Sequence, residues 1–348
     1  MVVVFINPVI LAYEKSRALV LLFSLVSQLS AQDPIFSQFH AAPLRMNPAF
    51  AGISVAPRIN LNYRTQYAAW PNAFRTFSVS YEQPVENKPY AFGVSLMSDI
   101  QADGAYRNNY FSAIYSYEIK MGDELYARAG LAAGFLQSQV DFSQLVFGDV
   151  LDPLEGNTGA TTEEMLASDT KTSFDASAGF LLFAGGVYGG ITIDHLTNPD
   201  ESLIELNSNL YSGRPTRFSI HAGGQIKLKR YYNRRRPAYV SPSFIYSRQA
   251  SFQQFTLGAY WGWGPFFLGS YYRHAFENAD ALIGLVGVRE GVFRIGYSYD
   301  ATLSPLRNVD GGLGGVHEIG ISFDFGDSEE LKRKRHRSRY SDCFGMFN

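Results

Sequence analysis

The chain has 348 residues, 46% of them hydrophobic, 15% aromatic and only 18% charged, with a formal net charge of −2. So few charges, against an ordinary share of about 25%, exclude a disordered chain and a nucleic-acid binder. A mean hydropathy of −0.10 excludes a polytopic helical membrane protein, and the single Cys343 excludes an internal disulfide, a CxxC redox pair and a cysteine-rich zinc site.

The first element in chain order is a targeting segment. Ala18 to Ser27 reads ALVLLFSLVS, preceded by Glu14, Lys15 and Arg17 and followed by QLSA with a small residue at Ala31. A charged start, a short apolar run and a small-residue cleavage site predict a secretory signal over 1–31. The apolar run falls short of the ~20 residues a spanning helix needs. Cleavage after Ala31 leaves a mature chain of 32–348, and the leader Met1–Tyr13 fits a start codon further downstream.

Residues 32–55 are too rich in Pro34, Pro43 and Pro48 to form a strand. With Ile35, Phe36, Phe39, Leu44 and Phe50 they are too apolar to float free. Two readings stay open: a periplasmic plug folded into a lumen, or a tether packed beneath a barrel.

From there on the pattern is alternation with period two, the mark of strands with one apolar face. In Arg217–Leu228, Phe218, Ile220 and Ala222 oppose Arg217, Ser219 and His221; in Val292–Asp300, Phe293, Ile295, Tyr297 and Tyr299 oppose Arg294, Gly296, Ser298 and Asp300. Arg58, Asn60, Asn62 and Arg64 likewise oppose Ile59, Leu61 and Tyr63. The scan predicts about fourteen strands, near 57–66, 73–83, 89–99, 106–119, 124–139, 174–183 and 187–196, then 215–229, 238–248, 252–262, 265–275, 279–289, 291–299 and 315–325. Segments 265–275 and 279–289 alternate poorly.

The connections carry the architecture. The longest ones, 140–173, 197–214 and 300–314, all join an odd strand to the next even one, whereas 84–88, 120–123, 184–186 and 263–264 are tight. Short turns at one end and long loops at the other characterise outer-membrane barrels. Loop 140–173 carries Asp141, Asp149, Asp152, Glu155, Glu163, Glu164 and Asp169 against Lys171 alone. The opposite end carries Arg230, Arg234, Arg235 and Arg236 and a tail with Lys332, Arg333, Lys334, Arg335, Arg337 and Arg339.

These features predict an all-β, transmembrane, antiparallel up-and-down barrel over 56–326 with a periplasmic basic tail over 327–348, because only helices and edgeless sheets survive in hydrocarbon. Trp70, Trp261, Trp263, Tyr271 and Tyr272 are expected in an interfacial girdle. Glu318, Gly320, Phe323 and Phe325 read as the terminal-strand signal for membrane insertion, and the basic clusters as sites for periplasmic partners. A soluble β-sandwich would also alternate, but it leaves the leader and the one-sided long loops unexplained. The six histidines form no HxxxH or HExxH spacing, and there is no GxSxG, P-loop or Rossmann fingerprint. No catalytic, cofactor-binding or metal-ligating residue is therefore assigned, and an enzyme is not expected. The acidic loop lacks a DxDxDG calcium pattern.

Seven stretches resemble the PorP/SprF family of outer-membrane barrels in the type IX secretion and gliding systems of Bacteroidetes. They are QDPIFSQFHAAPLRMNPAFAG (32–52), NYRTQY (62–67), VDFSQLVFGD (140–149), HLTNP (195–199), YRHAF (272–276), FRIGYSYDATLSPL (293–306) and GGVHEIGISFDF (314–325). Tyr67 departs from the pattern, where the family often has Trp. The resemblance implies an outer-membrane location with both termini periplasmic and no cofactor. It implies contact with membrane lipid and with periplasmic and lipoprotein components. It also implies assistance to secretion or surface anchoring of adhesin-like cargo with a C-terminal sorting domain. Loops 140–173 and 197–214 are the expected cargo face. A channel or transporter for small hydrophobic or polar solutes is the other reading of the same barrel, and structural anchoring of the envelope a third.

Overall fold

Strands that bury polar residues and expose apolar ones need lipid outside and something polar or packed within, and they cannot leave an edge unpaired. The computed structural model describes residues 33–325 except 55, 71–72, 147–149, 153–155, 159–168, 203–212, 229–237, 277 and 306–313. All described residues but Asp33 belong to one unit, Pro34–Asn348.

The wall is built from β1 (Arg58–Gln66), β2 (Phe74–Pro84), β3 (Tyr90–Gln101), β4 (Tyr106–Lys120), β5 (Leu125–Val140), β6 (Thr170–Ala184) and β7 (Val187–Asp194). It continues through β8 (Arg217–Gly224, prolonged by Ile226–Lys227), β9 (Tyr239–Gln249), β10 (Phe252–Trp263), β11 (Phe266–Ala275), β12 (Asn278–Glu290), β13 (Phe293–Thr302) and β14 (Val316–Asp324). Each strand pairs antiparallel with its neighbours in sequence. β1 pairs with β14 from Arg58↔Asp324 to Gln66↔Val316, which closes the barrel.

The predicted strands coincide with these. The largest shifts are at β6, which starts at Thr170 rather than near 174, and β13, which runs on to Thr302. Tight links such as 185–186 and 291–292 lie at one rim, and the strand ends Val140, Thr170, Asp194, Arg217, Thr302 and Val316, which bound the longest connections, lie at the other. Gly185 and Gly186 turn β6 into β7 at φ +53 and +104, a left-handed pair that side chains resist.

Outward-facing apolar side chains remain bare: Phe92 is 51% exposed, Leu131 61% and Val187 62%, while inward Asn60, Ser80 and Ser298 are at 3% or below. No helix among the described residues is long and apolar enough to cross a membrane.

Two expectations need correction. Tyr271 does not join an outer girdle: it is 1% exposed, points inward and makes a T-shaped ring pair with Phe39 at 5.5 Å. Trp70, Trp261 and Trp263 are exposed and Tyr272 half-buried. The interior is also not uniformly polar. Inward Phe267, Tyr271, Ile283 and Leu285 join a buried apolar cluster, which is why β11 and β12 alternate poorly: both their faces are greasy.

Candidate functional site in the barrel interior

What fills the barrel is the proline-rich segment ahead of β1. Proline cannot donate to a ladder but is pre-set for the first turn of a helix. Accordingly the segment folds as single turns: 3-10 at Phe39–Ala41, α at Pro43–Met46 and 3-10 at Pro48–Phe50. The Asn47 side chain caps the last by accepting from the Ala49 amide at 2.8 Å. Phe39, Leu44, Ala49, Phe50 and Ile53 are buried in the lumen against Ile114, Leu181, Phe183 and Tyr188 of the wall.

Two carboxylates hold the segment's ends. At the long-loop end, Glu318 accepts the Ser37 and Gln38 backbone amides at 2.8 and 2.9 Å. Beside it, the Ser37 hydroxyl donates to Asp300 at 2.5 Å and receives Arg273 at 3.2 Å. At the short-turn end, Glu82 accepts the Gly52 amide at 2.7 Å while paired with Arg58, whose Nε donates to it at 2.6 Å. Ser116 and Arg128 both donate to the Ala51 carbonyl at 2.7 Å. Midway, Asn47 Nδ2 reaches the carbonyls of Phe180 and Ile191 at 3.2 and 3.0 Å and His221 Nε2 at 2.9 Å. Asn62 of β1 donates to the Ala41 carbonyl at 2.9 Å. Buried carboxylates and guanidinium groups survive here because each finds charged or backbone partners.

The wall is also carved to receive the segment. A Cβ on Gly130 would stand 2.3 Å from the Ala49 nitrogen, one on Gly179 1.9 Å from Asn47 Oδ1, and one on Gly320 2.8 Å from Ala41 Cβ. Two small cavities lie inside among the described residues, about 50 Å³ beside Phe36, Phe39 and Arg217 and about 30 Å³ beside Leu44, Arg45 and Asp175. Such spaces hold a water or two.

The residues singled out from sequence fall into two groups. Glu318 and Gly320 face inward against the segment, whereas Phe323 is half-buried on the outer face and Phe325 exposed just beyond β14. Arg230, Arg234, Arg235 and Arg236, and Lys332, Arg333, Lys334, Arg335, Arg337 and Arg339, lie outside the described residues, as does the predicted signal over 1–31. Arg217 and His221 face the lumen as their parity predicts. Glu82, Asn47 and Arg128 were not singled out; the signal for Glu82 and Arg128 was a polar residue at an inward strand position, and Asn47, outside any strand, had none. Among the described residues no group of three or more His, Cys, Asp or Glu side chains is placed to hold a metal ion.

A closed antiparallel wall, lipid-soluble without and packed within, defines an integral outer-membrane-type β-barrel protein. A family model described as type IX secretion system membrane protein PorP/SprF matches residues 28–323, and the chain belongs to that family. No curated relative matches it. Among solved structures, a Pseudomonas aeruginosa FadL homologue is 13% identical at a TM-score of 0.40, over 80% of this chain and 93% of its own. A mutant TodX monoaromatic hydrocarbon channel is 10% identical at 0.46, over 82% and 94%. A mutant of the Rh. blastica porin is 7% identical at 0.32, over 77% and 98%.

Proposed function

We propose that this chain is a sealed outer-membrane scaffold of type IX secretion. It assists secretion or surface anchoring of cargo with a C-terminal sorting domain, and it contacts periplasmic and lipoprotein components of the machinery. The family supplies the system; the observation that carries the mode of action is the filled lumen. Residues 34–54 run from the Glu318 grip to the Glu82 grip, with a water-sized gap beside Phe36, Phe39 and Arg217. A barrel filled in this way acts through its rims, loops and tail.

The acidic loop 141–169 faces the cell exterior in this reading and the basic tail 327–348 the periplasm. In that orientation Pro34–Ser37 stand at the outer mouth. Of the two readings of this segment, a plug in the lumen or a tether beneath the barrel, the plug is the one proposed, running from outer mouth to inner rim.

The test pairs two measurements on the purified full chain. Planar bilayers are expected to stay silent, and secretion components are expected to co-purify. Deleting 327–348 is expected to leave a heat-modifiable barrel that no longer captures its periplasmic partner. A large steady current in the intact protein would instead support the channel for small solutes, and unchanged partner capture would remove the tail from the interface.

A further inference from the structure

The outer wall of β3–β6 departs from the plain apolar skin near the long-loop rim. Three rows, fixed by strand register, follow one another toward that rim. The first is apolar: Leu96, Phe111, Phe135 and Phe174 stand side by side, with Phe135 and Phe174 edge to face at 6.1 Å. The second, one outward-facing position further, is Ser98, Asn109, Gln137 and Thr172, with Phe77 at its flank. The third brings Arg75 and Arg107 onto either side of Ile100.

The middle row is a hydrogen-bonded ladder on the lipid side of the wall. Ser98 Oγ donates to Asn109 Oδ1 at 2.9 Å, and Asn109 Nδ2 donates to Gln137 Oε1 at 3.2 Å. The Gln137 Nε2 amide and the Thr172 hydroxyl end the ladder with no partner among the described residues. A cavity of about 460 Å³ opens outward between the aromatic row and the ladder. Arg75 shares its charge with Asp103 at 3.0 Å; Arg107 is exposed and makes no ion pair among the described residues.

We propose that this cavity is a binding site for one anionic, phosphate-bearing lipid of the leaflet at the long-loop rim. Its acyl chains lie on Leu96, Phe111 and Phe135. Its linkage oxygens accept from Gln137 and Thr172, and its phosphate meets Arg107 and Arg75. The order apolar, neutral donor, cation is that of an anionic lipid read from chain to headgroup. Polar donors in hydrocarbon cost free energy unless something accepts from them. Guanidinium groups pair with phosphate in two-pronged hydrogen bonds. This inference rests on the barrel and not on the secretion role.

The experiment reconstitutes the full chain in phosphatidylcholine doped with diphosphoryl lipid A or with its dephosphorylated form, and counts retained lipid by native mass spectrometry. One diphosphoryl molecule is expected to survive delipidation, favoured at least about tenfold over the dephosphorylated form. Arg107→Ala is expected to erase that preference, and Asn109→Leu with Gln137→Leu to erase retention. Ser270→Leu, exposed on the opposite wall, is expected to change nothing. Heat-modifiable migration confirms that each variant is folded, and Arg107→Ala, at an exposed site without described partners, provides the readout if the double variant fails to fold. Equal retention of the two lipids, indifference to Arg107→Ala, or crosslinking of position 109 to a protein in native membranes would overturn the proposal.

Discussion

Gly179→Val tests whether the interior segment is seated by the wall. The first added carbon would stand 1.9 Å from Asn47 Oδ1, 2.8 Å from its Cγ and 2.9 Å from Pro48 Cδ, separations no real structure tolerates. The wall is tied through backbone pairs on both sides, Gly130↔Gly179 and Gly179↔Thr192, so the segment must move instead. Moving Asn47 gives up its contacts to the Phe180 and Ile191 carbonyls, worth about 0.5–1.5 kcal/mol each. Overpacking adds about 1–3 kcal/mol. The sum, about 2–6 kcal/mol, shifts the seated-to-unseated ratio by at least about tenfold.

The assay places a thiol at the buried position Ala42 (2% exposed) by Ala42→Cys in a Cys343→Ser background, and follows its modification by a membrane-impermeant maleimide. Gly179→Val is expected to raise the rate at least about tenfold and to introduce current events in planar bilayers. Gly284→Val is the control, because nothing lies within 4 Å of its added carbon. If Gly179→Val folds and stays as protected and silent as the parent, the wall does not hold the segment and the sealing argument fails.

Glu82→Ala removes the carboxylate paired with the buried Arg58 and frees the Gly52 amide. It is expected to cost about 3–5 kcal/mol, seen as an earlier conversion of the heat-modifiable band, while Arg58→Met with Glu82→Leu costs much less. Asp141 sits at the base of the acidic loop. Hydrogen bonds from the Ser143 and Gln144 side chains and the Ser143 amide hold its carboxyl below the ordinary carboxylate range. A lowered folded-state value means its support for the 142–144 turn is complete above the ordinary range and is lost only as pH falls through the lowered one. Hydrogen exchange at the Ser143 amide is therefore expected to stay slow from neutral to mildly acidic pH and to rise in Asp141→Ala.

Side-chain parity is a local property of a strand, so the sequence alone determined the barrel. The run Phe293–Asp300 sorts its two faces by alternation without reference to any partner. Loop lengths then separate the two rims, because a tight turn and a long loop differ in residues and not only in space. Closure itself is dictated by the same alternation, since lipid forbids an unpaired edge. Tertiary structure alone decided what the inward face meets. Tyr271 reads as an aromatic near a strand end, and only the register of β10, β11 and β12 brings it against Phe39. Glu318 reads as one polar residue in a terminal strand. It becomes a grip because the segment around Ser37, about 280 positions away in the chain, threads back through the lumen. The inward glycines at 130 and 179 carry no message until that segment lies on them. A contact across the barrel depends on two distant stretches at once, and no periodicity in either one records it.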